Sequence, residues 1–201
     1  MNANLIITIV IVLAAIYAGT KYMALAPVEV PPHPETATSG GPAIGGAFTL
    51  VDQSGAPYTE KNLRGHYSLV FFGFSHCPDM CPTALANITA ALDSMLPKAA
   101  EKITPVLITV DPERDTPEVL KAYAANFHPR LVALTGTEEQ TEQAASAFKV
   151  YHQVSDPSVD DYMVNHSGFI YVMGPDGEYI KHFTHTTAPE SMAIELEQIV
   201  R

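Results

Sequence analysis

The chain reads as an α/β domain: a mostly parallel central sheet with helices on both faces, extended by antiparallel strands. Three observations predict this. Residues 68–74 and 104–110 are continuous apolar runs, the pattern of strands buried on both faces rather than one. A helical periodicity follows each run, and a β-α-β-α order requires parallel crossovers. Segments 47–59 and 169–183 each contain a Gly-bearing turn between strand-like stretches, which is the pattern of a hairpin.

Taken in order, residues 1–26 read as a membrane segment. No charged side chain occurs before Lys21, and a bilayer-spanning helix needs roughly 20 apolar residues, which 4–26 can supply. A cleaved signal peptide is the competing reading, with Ala24-Leu25-Ala26 as its cut. The uncleaved anchor is preferred because the first residues carry no Lys or Arg and Pro27 would follow the cut. Lys21 slightly disfavours export of the domain, although large domains translocate regardless of charge. Residues 27–42 form a linker that five prolines hold extended and Ser39-Gly40-Gly41 loosens. The folded domain is expected over 43–201.

Within it, 47–51 and 58–59 form a hairpin across Gly55, and 68–74 is the first buried strand. Leu85, Ile88, Leu92 and Met95 space a helix over 82–95, with Pro82 suited to its first turn. Strand 104–110 comes next. Thr116 caps a helix over 117–127, with Pro117 at its start and Glu118 in its first turn. Residues 131–134 form a short strand and Thr137 caps a helix over 138–148. Strands 169–173 and 178–183 flank the turn Gly174-Pro175-Asp176-Gly177, and a helix over 189–200 closes the chain.

Composition narrows the function. A hydrophobic share of 47% excludes a disordered chain. A net charge of −11 argues against nucleic acid or an anionic membrane surface as the main partner, and is compatible with a cationic one. There are only two cysteines, Cys77 and Cys81, so the chain is not a disulfide scaffold. They sit in Ser75-His76-Cys77-Pro78-Asp79-Met80-Cys81-Pro82, between a strand end and a helix start. In open α/β sheets such loops carry the chemistry, and a helix N-terminus favours thiolate over thiol. The C-x-x-x-C spacing brings both sulfurs to one turn, as a redox pair or as half a metal site.

Soft thiolates select copper(I), zinc or iron–sulfur clusters. Zinc and clusters usually take four protein ligands, which this sequence cannot easily supply, whereas copper(I) accepts two or three. Of the eight histidines, His33, His66 and His128 read as solvated. His76 could tune its neighbour Cys77 but points away if the strand alternates. His152, His182 and His185 read as surface residues. His166 stands directly before strand 169–173, on a connection that in a thioredoxin-like sheet faces the cysteine loop, and is a candidate third ligand. Asp111 and Asp115 read as structural or docking residues, Asp115 at a helix start, because hard carboxylates suit copper(I) poorly.

Three blocks, 72–82 (Phe-Gly-Phe-Ser-His-Cys-Pro-Asp-Met-Cys-Pro), 110–117 (Val-Asp-Pro-Glu-Arg-Asp-Thr-Pro) and 164–167 (Val-Asn-His-Ser), resemble in type and order the SCO/SenC family of copper proteins, which assist assembly of the copper A centre of cytochrome c oxidase. The likeness runs from about Ile44 to the C-terminus. It implies a thioredoxin-like fold with inserted strands, including 151–164, and copper, Cu(I) or Cu(II), held by Cys77, Cys81 and His166. It implies subunit II of cytochrome c oxidase, through its copper A domain, as partner, with another periplasmic copper chaperone beside it. It also implies a tether to the bacterial cytoplasmic membrane with the domain in the periplasm, since no Arg-rich transit peptide precedes the anchor. Asn165 departs from the family, which often has Asp there, and is expected to weaken a contact behind the histidine. Two other functions use the same thiols. One is a membrane-tethered thiol–disulfide reductase with Cys77 and Cys81 as its redox pair, keeping the oxidase subunit's cysteines ready for metal. The other is a peroxide sensor, for which no activating Arg stands near Cys77. His166 separates them from a copper site, because a reductase does not need it.

Overall fold

Seven strands form one sheet, in the spatial order Pro57–Thr59, Thr49–Asp52, Val132–Thr135, Ile103–Thr109, Tyr67–Gly73, Phe169–Met173 and Tyr179–Thr184. The computed structural model describes residues 44–156, 158–159 and 161–200. The expected anchor and linker lie outside them, and among the described residues no helix is long and apolar enough to cross a membrane. The sheet strands are β1 (Thr49–Asp52), β2 (Pro57–Thr59), β3 (Tyr67–Gly73), β4 (Ile103–Thr109), β5 (Val132–Thr135), β8 (Phe169–Met173) and β9 (Tyr179–Thr184). A separate pair, β6 (His152–Val154) and β7 (Val164–His166), stands outside the sheet. The helices are α1 (Met80–Ser94), α2 (Pro97–Ala100), α3 (Pro117–Ala124), α4 (Glu138–Ala147) and α5 (Pro189–Ile199).

The parallel centre is β3, β4 and β5, joined through α1 and α3. Antiparallel β1 and β8 flank it, and the hairpins β1–β2 and β8–β9 form the two edges. The two apolar runs are the two central strands, each beginning one residue earlier than predicted. Leu69 to Phe72 of β3 are wholly buried, as strands covered on both faces must be. Alternation sends Phe72 toward Phe148 and Tyr171, with ring centroids 5.3 and 6.4 Å away, and Phe71 to the opposite face. On the other side of the fold α1 packs along α5.

Several boundaries differ from the prediction for physical reasons. Helix α1 starts at Met80, two residues early, so Cys81 lies in its first turn. Pro82 is tolerated there because the first four amides of a helix have no partner within it. Helix α3 ends three residues short of 127, where the Asn126 side chain takes the carbonyls of Ala122 and Tyr123. Thr116 and Thr137 cap α3 and α4 as predicted, with Val119 and Gln140 amides as donors. Two short elements lie outside the sequence prediction: α2 and a 3-10 turn, Glu60–Leu63, held by a Thr59–Asn62 capping box. The expected inserted strands are β6 and β7, paired antiparallel with His152 opposite His166.

Two histidines differ from the reading as solvated. His128 is buried, 7% exposed. Its Nδ1 accepts the Arg130 amide, its own amide donates to Thr89 Oγ1 on α1, and burial, with Arg130 nearby, lowers its pKa. His66 is half-buried. Of those read as surface residues, His152 is half-buried and lies 3.3 Å from Glu142, while His182 is exposed and stacks on Tyr179.

Candidate metal centre

The site begins at the carboxyl end of β3. A methyl group on Gly73 would stand 2.8 Å from Cys81 Sγ and 2.9 Å from the Phe71 ring. Only glycine lets that sulfur lie against the strand. The loop then turns, the Cys77 amide donating to the Phe74 carbonyl at 3.3 Å, and enters α1. At the helix start the Cys81 amide donates to Cys77 Sγ at 3.4 Å. Asp79, the N-cap, makes no side-chain bond to the helix amides, so they remain available to the sulfur.

The two thiols differ sharply. The Cys81 thiol donates to the Cys77 sulfur and holds the Cys77 pKa down to about 4, against the opposing effect of burial and with help from His166 and the amides of Cys81 and Asp79. Cys81 is fully buried, and the adjacent Cys77 sulfur together with burial pushes its pKa well up. At neutral pH the pair is one half-exposed thiolate beside one buried thiol. A metal that takes both sulfurs displaces the Cys81 proton.

His166, the last residue of β7, completes the group. Its Nε2 lies 3.4 Å from Cys81 Sγ, while Nδ1 faces the Ser167 carbonyl at 3.2 Å. Donation of an Nδ1–H to that carbonyl would leave the Nε2 lone pair free for a metal ion shared with the sulfurs. Phe71 and Phe74 hold the ring edge-on, with centroids 5.9 and 5.8 Å away. The donor atoms of Cys77, Cys81 and His166 all lie within 4.8 Å of one another. The structure therefore brings together all three residues singled out in the sequence. His76 is exposed, beside Ser75. The exposed Asn165 makes no hydrogen bond to His166 among the described residues. The support behind the histidine is the Ser167 carbonyl, so the weakening expected from Asn165 has no contact to act through.

Two carboxylates hold the frame. Asp115 is fully buried and accepts the Ser75 amide at 3.1 Å, the Ser75 hydroxyl, and Thr109 Oγ1 at 2.6 Å. It ties the cysteine loop to the end of β4 and is not the helix-start contact expected of it; Thr116 has that role. Burial raises its pKa, against the opposing hydrogen bonds. Asp111 accepts Arg114 Nε at 2.5 Å and Tyr162 OH at 2.7 Å. The Arg114 guanidinium lies 3.7 Å over the Tyr162 ring. This clamp fastens the segment leading into β7, and so His166, to the loop after β4. Nothing local in the sequence announces a bond between residues 51 positions apart.

A family model described as SCO1/SenC matches residues 36–201. The SCO2-like protein RP587 of Rickettsia prowazekii is 49% identical over 142 residues, 70% of this chain and 69% of its own. The copper-bound structure of Bradyrhizobium japonicum ScoI is 40% identical, covering 78% of this chain and 99% of its own with a TM-score of 0.72. Copper-bound yeast Sco1 is 38% identical over 79% of this chain and 87% of its own, with a TM-score of 0.70. The sheet order and the site sit in the thioredoxin-like fold that the three sequence blocks implied. Motifs, fold and an alignment over four-fifths of the sequence agree: the chain is a member of the SCO1/SenC family.

Proposed function

We propose that the chain is a copper metallochaperone that assists assembly of the copper A centre of cytochrome c oxidase, holding copper through Cys77, Cys81 and His166. The observation that carries this is the convergence of two sulfurs and an imidazole nitrogen within 4.8 Å. Two soft donors and one borderline donor suit copper(I), and the imidazole lets the same site accept copper(II). Copper-bound relatives share the fold. The acceptor is subunit II of the oxidase, with another periplasmic copper chaperone as donor. The chain works from the bacterial cytoplasmic membrane through residues 1–26, with its domain in the periplasm. The test is complementation. Cells lacking the chain should fail to metallate the copper A centre, and the wild-type chain should restore it where Cys77→Ser and His166→Ala variants do not. Restoration by His166→Ala would remove the imidazole from the function.

A second reading rests on the unequal thiols. A thiolate of low pKa beside a buried thiol suits disulfide exchange: Cys77 attacks a partner disulfide, then Cys81 attacks the mixed disulfide, releasing the reduced partner and a Cys77–Cys81 disulfide. Such a reductase would keep the oxidase subunit's cysteines ready for metal and would survive loss of His166.

A further inference from the structure

A second pair of donors that suit copper, one thioether and one imidazole, stands beside the first site. Gly168 comes two positions after His166, and a methyl placed on it would lie 2.5 Å from His185 Nδ1 and 3.1 Å from Met80 Sδ. A thioether and an imidazole nitrogen thus converge over one bare stretch of backbone. Met80 belongs to the first turn of α1, between the two cysteines. His185 lies in the connection from β9 to α5, and its backbone is fixed from both sides. Its amide donates to the Gly168 carbonyl at 2.8 Å, and its carbonyl accepts Asn87 Nδ2 at 2.9 Å. No hydrogen bond or ion pair occupies the His185 ring among the described residues. Both side chains are half-buried, whereas Cys81 is sealed from solvent.

We propose that Met80 and His185 form a weaker, auxiliary copper(I) site through which copper passes to and from the Cys77–Cys81–His166 centre. The inference rests on the copper reading of that centre and adds the route by which the metal reaches it. A soft thioether beside an imidazole nitrogen suits copper(I) and binds it less tightly than a pair of thiolates. Copper arriving at the half-exposed pair has a downhill path to the sulfurs. In the transfer, copper–thioether and copper–imidazole bonds break and copper–thiolate bonds form. The metal remains Cu(I), and the Cys81 proton leaves to water.

The test uses the reduced full chain titrated with copper(I) against a competing chelator, monitored by the Met ε-methyl and His ring resonances. The first equivalent should perturb the His166 ring. The second should move the Met80 methyl and the His185 ring together. Met80→Leu, which conserves volume, and His185→Gln should each weaken the second equivalent by about tenfold or more and leave the first within about twofold. Met80→Leu should also slow uptake of the first equivalent from a small-molecule copper(I) donor. A chain that takes up one equivalent and no second refutes the auxiliary site alone, as does a second equivalent indifferent to both variants. A chain that takes up no first equivalent refutes the copper reading and this site with it.

Discussion

The cysteines reach the metal centre from the body of the sheet, whereas His166 reaches it from a two-stranded hairpin outside that sheet. On the cysteine side the chain is wholly buried from Leu69 to Phe72. Gly73 seats Cys81 against the strand, and Asp115 ties Ser75 to the end of β4. On the histidine side the hairpin is mostly exposed; Val164 is buried, Tyr162 bonds Asp111, and His152 meets Glu142. Regions with few buried contacts open at lower free energy than cores do. The dithiol half thus belongs to the buried body of the fold, and the imidazole half to a more exposed, less anchored part of it. For the carrier proposed above, which must hold its metal and also release it, this division gives the hairpin the weaker hold.

The largest effects are expected at the sulfurs. Cys77→Ala or Cys81→Ala should weaken both copper(I) and copper(II) by several orders of magnitude, because each removes half of the sulfur; titration against a chelator measures this. His166→Ala should leave copper(I) comparatively tight on the two thiolates while copper(II), which favours nitrogen and oxygen donors, is badly served. Its residual copper(II) should convert to copper(I), two copper(II) ions taking one electron each as one Cys77–Cys81 pair becomes a disulfide, visible as decay of the sulfur-to-copper(II) absorption band. A stable band of wild-type intensity would place both halves of the site in the sulfurs.

The asymmetry between the thiols is tested by pH. Cys77 is held at about 4 against an ordinary 9.0, so its thiolate absorbance in the metal-free chain should persist down to a midpoint of about 4. Because the folded pKa lies below the unfolded one, this group's contribution to stability is present above pH 9 and is lost as pH falls toward 4. Asp115 has the opposite sign. Its pKa is raised above 3.8, so the unfolded chain ionises first and stability from this group declines as pH rises above that value. A thiolate midpoint near the ordinary value would remove the preformed-nucleophile half of the comparison.

Smaller effects sharpen it. Asp115→Ala should cost about 1–3 kcal/mol in chemical denaturation by stranding the Ser75 and Thr109 donors, with copper stoichiometry retained. Tyr162→Phe removes one hydrogen bond, about 1 kcal/mol, from the clamp on the hairpin. By the same arithmetic it should weaken copper(II) by about five- to tenfold and leave copper(I) nearly unchanged. Equal losses for the two oxidation states would show that the hairpin does not act through His166.

Legibility in the sequence obeys the same division. Continuous burial writes itself as a continuous apolar run, so β3 and β4 are legible to within one residue. The paired cysteines are legible from spacing and position. His166 is picked out by its place before a strand and by the three-block resemblance, while β7 itself, three residues with one buried, carries no alternation to read. The α1 start is misplaced because Asp79 makes no capping bond and Pro82 looks like a first position. His128 reads as solvated because its burial depends on Thr89 and Arg130, the first 39 positions away. The Asp111–Arg114–Tyr162 clamp and the Met80–His185 pair escape the sequence for the same reason: each is made by contacts between distant segments that no local pattern announces.

In the proposed centre one copper ion is shared by the sulfurs and the hairpin histidine. X-ray absorption on the copper-loaded chain tests it most directly. Two sulfur neighbours and one imidazole nitrogen are expected in the wild type, and loss of that nitrogen with both sulfurs retained in His166→Ala. A wild-type spectrum with fewer than two sulfurs, or one that His166→Ala leaves unchanged, would contradict it.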